Sequence, residues 1–388
     1  MNMHKQKQKY KLLHIITCLN TGGAERALYN LLYGGLAQQF QCHVVSLMDE
    51  GTYGEKIRAL GVPVTCVGMK RGIPTLYSLF KLRRIARHIS PDIIQGWMYH
   101  GNIAGSFSCK FLPGSCILCW NIRQSLYDIC YEKTMTKMVI RASRYLSAGP
   151  NAIIYNSMVS RGQHEKFGFH STNGKVIPNG IDIEKFTVSR DANRIKMRKQ
   201  LGISQDAVVI ALVARLHPMK NHPLFIKAAL QIAERYNSAV FLLCGRNVTY
   251  ENEKICSLIP VKFRSRFLLL GERQDMPDLF AAMDIVSSSS SYGEAFPNVI
   301  GEAMACGLPC VVTDVGDSAY IVGDTGVVVP SRDLQAFIAG IEKLLVLSIE
   351  DRQQIGMMAR TRVKKYFSLP AVVNIYSTHY EQLFQQLL

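Results

Sequence analysis

Apolar runs of strand length alternate with longer segments of helical period along the whole chain. In the first half the strand-like runs cover 11–17, 42–48, 62–67, 92–95, 115–120, 152–155 and 175–177. In the second half they cover 207–214, 239–244, 266–270, 284–288, 309–313 and 327–329. Helical spacing fills the intervals, as at 24–38, 75–88, 223–235 and 297–306. A run such as Val208-Val209-Ile210-Ala211-Leu212-Val213 has no polar alternate positions, so it suits a strand covered on both faces. Parallel strands need crossover connections, and strand–helix alternation supplies them. The turn-rich piece Ile177-Pro178-Asn179-Gly180-Ile181-Asp182 divides the series, and a polar, basic stretch follows at 189–200. The pattern therefore predicts an α/β protein of two doubly wound, Rossmann-like domains, 1–180 and 181–368. A final helical segment, 369–388, is expected to cross back to the first domain. No internal repeat is visible, and the only low-complexity tract is the serine run Ser287–Ser291. Ligands of such sheets bind at the carboxyl ends of the strands, so chemistry is sought there, in a cleft between the domains.

Composition narrows the class. With 388 residues, 48% apolar and 19% charged, the chain has the makeup of a folded enzyme too long for one core. Its net charge of +16 is unevenly placed. Residues 1–180 hold 22 Lys and Arg against 8 Asp and Glu, net +14, while the rest holds 23 against 21, net +2. Such asymmetry fits an anionic partner or simply a soluble positive surface. The start, Met1-Asn2-Met3-His4-Lys5-Gln6-Lys7, is basic but leads into a short strand-like run with no cleavage pattern. No apolar stretch reaches the roughly 18–20 residues that span a bilayer. A cytoplasmic protein with free thiols is expected from the eleven cysteines. Cys116 and Cys119 have ligand-like spacing, with Cys109 and Cys130 nearby, but they lie in Cys116-Ile117-Leu118-Cys119-Trp120, which reads as a buried strand and disfavours zinc.

The sharpest chemical signal is Tyr292-Gly293-Glu294-Ala295-Phe296-Pro297-Asn298-Val299-Ile300-Gly301-Glu302-Ala303-Met304-Ala305-Cys306-Gly307-Leu308-Pro309. A strand ends in serines, a loop follows, and Pro297 suits the first turn of a helix whose positive end attracts phosphate or sugar oxygens. Glu294 lies in the loop and Glu302 inside the helix, so two carboxylates can meet one ligand at different depths. Carboxylates accept strongly from sugar hydroxyls. Taken alone, Glu294 reads equally as a solvated carboxylate and Glu302 as a structural one. In Val213-Ala214-Arg215-Leu216-His217-Pro218-Met219-Lys220-Asn221, two cations five apart follow a buried strand. They can neutralise a leaving diphosphate, the task a metal otherwise performs. No Asp-x-Asp triplet exists to clamp a metal, so no divalent metal and no other cofactor is expected. Thr21-Gly22-Gly23-Ala24-Glu25 brings paired glycines to the start of a helix, but it is not Gly-x-Gly-x-x-Gly, which argues against a dehydrogenase.

The segment 284–313 resembles the donor-site signature of the retaining GT-B glycosyltransferases, family 4 (group 1), and the match continues over nearly the whole chain. The resemblance implies an acceptor domain at 1–180 and a nucleotide-sugar domain at 181–368. The family's E-x7-E pair falls on Glu294, near the reacting centre, and Glu302, on the ribose; Ala295, Phe296, Pro297 and Asn298 join them at the donor. Arg215 and Lys220 match the diphosphate grip, and Gly22 and Gly23 the loop approaching donor phosphates and acceptor. His100, in Gln95-Gly96-Trp97-Met98-Tyr99-His100-Gly101-Asn102, falls on the family's active-site histidine. Gly245 and Arg273 are implied nucleotide contacts, and Asn179, Gly180 and Asp182 match an interdomain turn. Arg123 follows a strand and is a candidate for the acceptor. Two departures stand out: Ala295 and Asp317 occupy positions where glycine is common.

Lys133, Lys137, Arg141 and Arg144 fall on one helical stripe, and Met138, Val139, Ala142, Tyr145 and Leu146 supply another face. That face either packs in the core, as in an ordinary amphipathic helix, or the helix docks on anionic lipid headgroups. A second basic cluster is Lys81, Arg83, Arg84 and Arg87. Nucleic acid is disfavoured because aromatic residues are not interleaved with these cations. The expected reaction is transfer of a hexose or N-acetylhexosamine from a nucleotide sugar to a glycan or lipid-linked acceptor in surface polysaccharide or glycan synthesis, with retention, at the inner face of the membrane. The rivals are a nucleotide-sugar epimerase or phosphorylase of the same architecture, or an idle sugar-binding protein.

Overall fold

The thirteen apolar runs all form strands, each within about two residues of its predicted ends. The computed structural model describes residues 9–70, 75–188 and 191–386; the basic start, residues 189 and 190 at the head of the polar stretch, and the last two residues of the final segment lie outside them. Two units result, residues 1–180 with 369–388 and residues 181–368.

Unit 1 holds seven strands: β1 Lys11–Ile16, β2 Gln41–Ser46, β3 Val64–Cys66, β4 Ile93–Trp97, β5 Ile117–Ile122, β6 Ala152–Tyr155 and β7 Gly174–Val176. They form one parallel sheet in the order β3-β2-β1-β4-β5-β6-β7. Unit 2 holds β8 Val208–Val213, β9 Ala239–Cys244, β10 Phe267–Leu269, β11 Ile285–Ser288, β12 Cys310–Thr313 and β13 Val327–Val329, parallel in the order β10-β9-β8-β11-β12-β13. In each sheet the winding reverses beside the first strand, between β1 and β4 and between β8 and β11. Crossovers leave in opposite directions there, and a crevice opens at the carboxyl ends.

Local departures from the predicted elements have identifiable causes. The 24–38 helix breaks into Gly23–Leu31, a widened turn Leu32–Leu36 and Ala37–Gln39, because Gly35 adopts a left-handed φ of 118°. The final helix, Leu369–Gln385, packs on unit 1, burying Val372, Val373, Tyr376 and Tyr380 against Leu28, Leu31 and Trp97. Within the polar, basic stretch, Asp191–Leu201 is helical and sinks Arg198 into unit 2. Arg198 donates to Asp284 Oδ2 (2.6 Å) and to the carbonyls of Ala282, Ser204, Gln205 and Ala207. A guanidinium lacking those acceptors would cost far too much to bury.

The helix Met98–Lys110 lies close on its sheet, because an added Cβ on Gly101 would come within 2.4 Å of the Ile15 carbonyl. The basic helix, Thr134–Leu146, bears on the two alternatives left open for its apolar face, of which only Val139 turns to the core. It buries Ile140 and Ser143, with Val139 half-buried, while Met138, Ala142, Tyr145 and Leu146 are exposed beside the cations.

Candidate active site

In unit 2, β8 and β11 deliver the predicted cations and carboxylates to the same carboxyl edge. Glu294 is buried and forms an ion pair with Lys220, whose side chain is largely covered. The same oxygen, Oε1, accepts from Ser290 Oγ at 2.7 Å. The serine run is thus a scaffold: Ser289 donates to the Lys220 carbonyl (2.8 Å), and Thr313 donates to the Ser290 carbonyl (2.7 Å). Ser290 and Ser289 were not singled out from sequence, because a serine tract reads as a polar strand end until its partners are known. Arg215 is exposed and has no hydrogen-bond or ion-pair partner among the described residues. Its backbone is placed by Gly245, at φ 153°, where a Cβ would sit 2.1 Å from the Ala214 carbonyl. Gly245 therefore fixes the loop bearing Arg215 in addition to any nucleotide contact.

Two histidines missed by the sequence reading support that loop. Burial holds the His222 pKa down to about 4, so its ring is neutral and Nε2 donates to the Ala214 carbonyl at 3.2 Å. His217 accepts from the Met219 backbone at 3.2 Å; burial first, then the charges of Arg215 and Lys220, lower its pKa. Glu302 is buried on the helix Asn298–Ala305, which starts one residue after Pro297, so Pro297 is the cap and not its first residue. Asp317 is buried too, and its N–H donates to the Ala295 carbonyl at 2.8 Å. Arg273 is engaged by Asp275 through Nε–Oδ1 at 2.8 Å and Nη2–Oδ2 at 2.5 Å, an interaction that lowers the Asp275 pKa.

In unit 1, His100 is the third residue of the helix after β4, which leaves the strand through Met98 at φ 60°. His100 touches solvent, yet the protein packed around its ring lowers its pKa. The Gly22–Gly23 turn caps the adjacent helix, and the Glu25 carboxylate folds back so far that a Cβ on Gly22 would lie 2.2 Å from Oε2. Burial raises the Glu25 pKa. Arg123, the acceptor candidate, follows β5 and is held by unit 1 itself. Its guanidinium donates to Asn121 Oδ1 (3.1 Å), Tyr376 OH (2.9 Å) and Asn179 Oδ1, and lies 5.5 Å from the Trp97 ring centroid. These bonds tie the final helix to the end of unit 1.

All eleven cysteines are free, and among the described residues no group of three or more His, Cys, Asp or Glu is arranged to hold a metal ion. No helix of the described residues is long and apolar enough to cross a membrane. A cavity of about 640 Å³ lined by Lys9, Lys11, His43 and His88 opens at the amino ends of the unit 1 strands, the wrong edge for this site.

A model of Glycosyltransferase Family 4 matches residues 21–185, and one of Glycosyl transferases group 1 matches residues 207–346. EpsF of Bacillus subtilis (strain 168), which carries a glycosyltransferase name, is 33% identical over 326 residues, covering 78% of this chain and 79% of its own. This chain belongs to glycosyltransferase family 4, group 1. The family member is also 25% identical, over 75% of each chain, to the UDP-Gal:alpha-D-GlcNAc-diphosphoundecaprenol alpha-1,3-galactosyltransferase of Escherichia coli. Its fold is that of HepE from Anabaena, solved in complex with UDP, with a TM-score of 0.80 at 22% identity over 96% of this chain and 100% of that one. The two parallel-sheet domains of this glycosyltransferase are those of the GT-B class.

Proposed function

We propose that this glycosyltransferase moves a hexose or N-acetylhexosamine from a nucleoside diphosphate sugar to a lipid-linked saccharide, with retention at the anomeric carbon and without a metal. The observation that carries the reading is the buried Glu294, held by Ser290 and by Lys220, which follows the exposed Arg215 by five residues. A carboxylate fixed in position beside one engaged and one available cation suits a sugar diphosphate, whose charge grows on the leaving group as the bond breaks. The E. coli relative is named for UDP-galactose and a diphosphoundecaprenol acceptor, and HepE was solved with UDP, which favours a UDP-sugar donor here.

In the proposed reaction the anomeric carbon–diphosphate bond breaks and the acceptor oxygen bonds to the same face of that carbon. The acceptor proton passes to the departing diphosphate. Arg215 and Lys220 stabilise that diphosphate, Glu294 positions the sugar, Glu302 holds the ribose, and the family likeness gives His100 of unit 1 the part of the active-site histidine. Unit 1 receives the acceptor, and Lys133, Lys137, Arg141 and Arg144 draw it to an anionic membrane, each worth about 1 kcal/mol near the surface. A thermal-shift panel of nucleotide sugars tests the donor claim, since a ligand that binds the folded state raises the melting temperature. A shift with UDP-sugars is expected; no response to any nucleotide sugar overturns the reading.

A further inference from the structure

We infer that unit 1 docks on an anionic phospholipid surface by inserting exposed apolar side chains among the headgroups, with the neighbouring cations holding the lipid phosphates. The inference rests on the reading of the acceptor as lipid-linked, and it replaces simple charge attraction with partial penetration.

The helix Thr134–Leu146 is wound with three stripes, where a crossover helix needs two. One stripe, Val139, Ile140 and Ser143, packs on the sheet. The second is Lys133, Lys137, Arg141 and Arg144. The third is Met135, Met138, Ala142, Tyr145 and Leu146, with Met138 57% and Tyr145 78% exposed. Successive residues turn by about 100°, which places this third stripe away from the buried one and alongside the cations. Large apolar side chains gathered on a monomer surface mark an interaction site.

A second helix repeats the arrangement. Leu76–Ile89 packs through Leu82 and Ala86 into the same core layer as Ile140, so both helices cover one face of the sheet. Its exposed arc carries Leu76 (77%), Tyr77 (74%) and Phe80 (65%), followed by Arg84, Arg87 and His88. Each helix follows a strand, so each starts at the carboxyl edge of the sheet. That edge therefore bears Leu76, Tyr77 and Phe80 on one side, and Tyr127, Tyr131 and Met135 on the other. It is the edge that also carries His100 and the Gly22–Gly23 turn. An apolar rim there would hold the acceptor-receiving end of the unit against the surface from which a lipid-linked saccharide emerges.

Charge decides the occupant. Residues 1–180 carry net +14, and apolar and aromatic side chains intermixed with Lys and Arg are the pattern of interfacial helices. Tyrosine suits such a surface because its ring is apolar and its hydroxyl wet. A second copy would set like charge against like in a symmetric dimer. Single-stranded nucleic acid would stack on the exposed rings but would leave the aliphatic Leu76, Met135, Met138 and Leu146 without a partner, whereas a lipid surface takes up both kinds.

The test uses the full chain carrying Tyr77→Trp or Tyr145→Trp as reporters, since both native tryptophans, Trp97 and Trp120, are fully buried. Vesicles of phosphatidylcholine mixed with phosphatidylglycerol, brominated on the acyl chains, should shift each added emission to the blue and quench it; phosphatidylcholine alone should not. Combined Leu76→Ser, Tyr77→Ser and Phe80→Ser changes should lower vesicle co-sedimentation by about tenfold or more. The same variant should keep full transfer to a short, water-soluble acceptor. Co-sedimentation with unchanged reporter emission, a dimer in light scattering that the triple variant dissolves, or tight single-stranded oligonucleotide binding lost in that variant would each overturn the inference. Absence of transfer to any acceptor, with reporters still quenched, would count against the enzymatic reading alone.

Discussion

Replacing Lys220 and Arg215 separately by methionine should divide two roles that look identical in sequence. Lys220 pairs with Glu294, and the two side chains are 18% and 8% exposed. Truncating one partner of a buried, hydrogen-bonded charge pair costs about 2–5 kcal/mol, chiefly because the other charge stays buried. Residual solvent access and the Ser290 hydroxyl, 2.7 Å from the same oxygen, place Lys220→Met at the low end, about 2 kcal/mol. In a unit of this size that lowers the melting temperature by about 4–8 °C. Arg215→Met removes an exposed side chain and should stay within about 0.5 kcal/mol of wild type. Both variants should nevertheless lose about 100-fold or more in kcat/KM, since each removes charge stabilisation from the leaving diphosphate. Adding Glu294→Gln to Lys220→Met should restore stability by removing the orphaned charge, without restoring activity. Thermal denaturation alongside UDP-release kinetics makes the comparison. Equal destabilisation by both cations, or a fully stable Lys220→Met, would refute the buried-pair argument.

Glu294→Ala should lower kcat sharply and Glu302→Ala should mainly raise the donor KM; the opposite split, read by steady-state kinetics, would mean that the roles are exchanged. Arg198→Ala should destabilise unit 2 by about 3–5 kcal/mol, visible in urea denaturation, because Asp284 loses a buried partner. Burial pushes the pKa values of His14, His164 and His222 from 6.5 down to about 3, about 4 and about 4. Below pH 6.5 the unfolded chain therefore binds protons that the folded one refuses, so the melting temperature should fall between pH 6.5 and 4, and a flat profile there would contradict the burial of these rings.

Strands were readable because a parallel strand covered on both faces writes its burial into consecutive apolar residues, as in Val208–Val213. The Glu294, Lys220 and Arg215 set was visible because its spacing matches a family signature. What stayed hidden depends on neighbours distant in sequence. Ser290 gains meaning only beside Glu294, and Arg198 reads as part of a basic stretch until Asp284 is placed against it. Arg123 follows a strand, but its bond to Tyr376, some 250 positions later, has no trace in local spacing. The outward face of Thr134–Leu146 stayed open for a related reason: helical period separates stripes but does not say which stripe meets the sheet.

The most direct test of the central claim is a transfer assay with the intact chain, UDP-sugars and a diphospholipid-linked saccharide, in the presence of EDTA. The account predicts that one UDP-sugar yields UDP and glycosylated lipid in equal amounts. It further predicts that the new bond keeps the donor's anomeric configuration by NMR, that omission of the acceptor abolishes both products, and that Arg215→Met lowers both about 100-fold or more. Conversion of a UDP-sugar without acceptor, an inverted linkage, or activity that returns only when Mn²⁺ is added would contradict it.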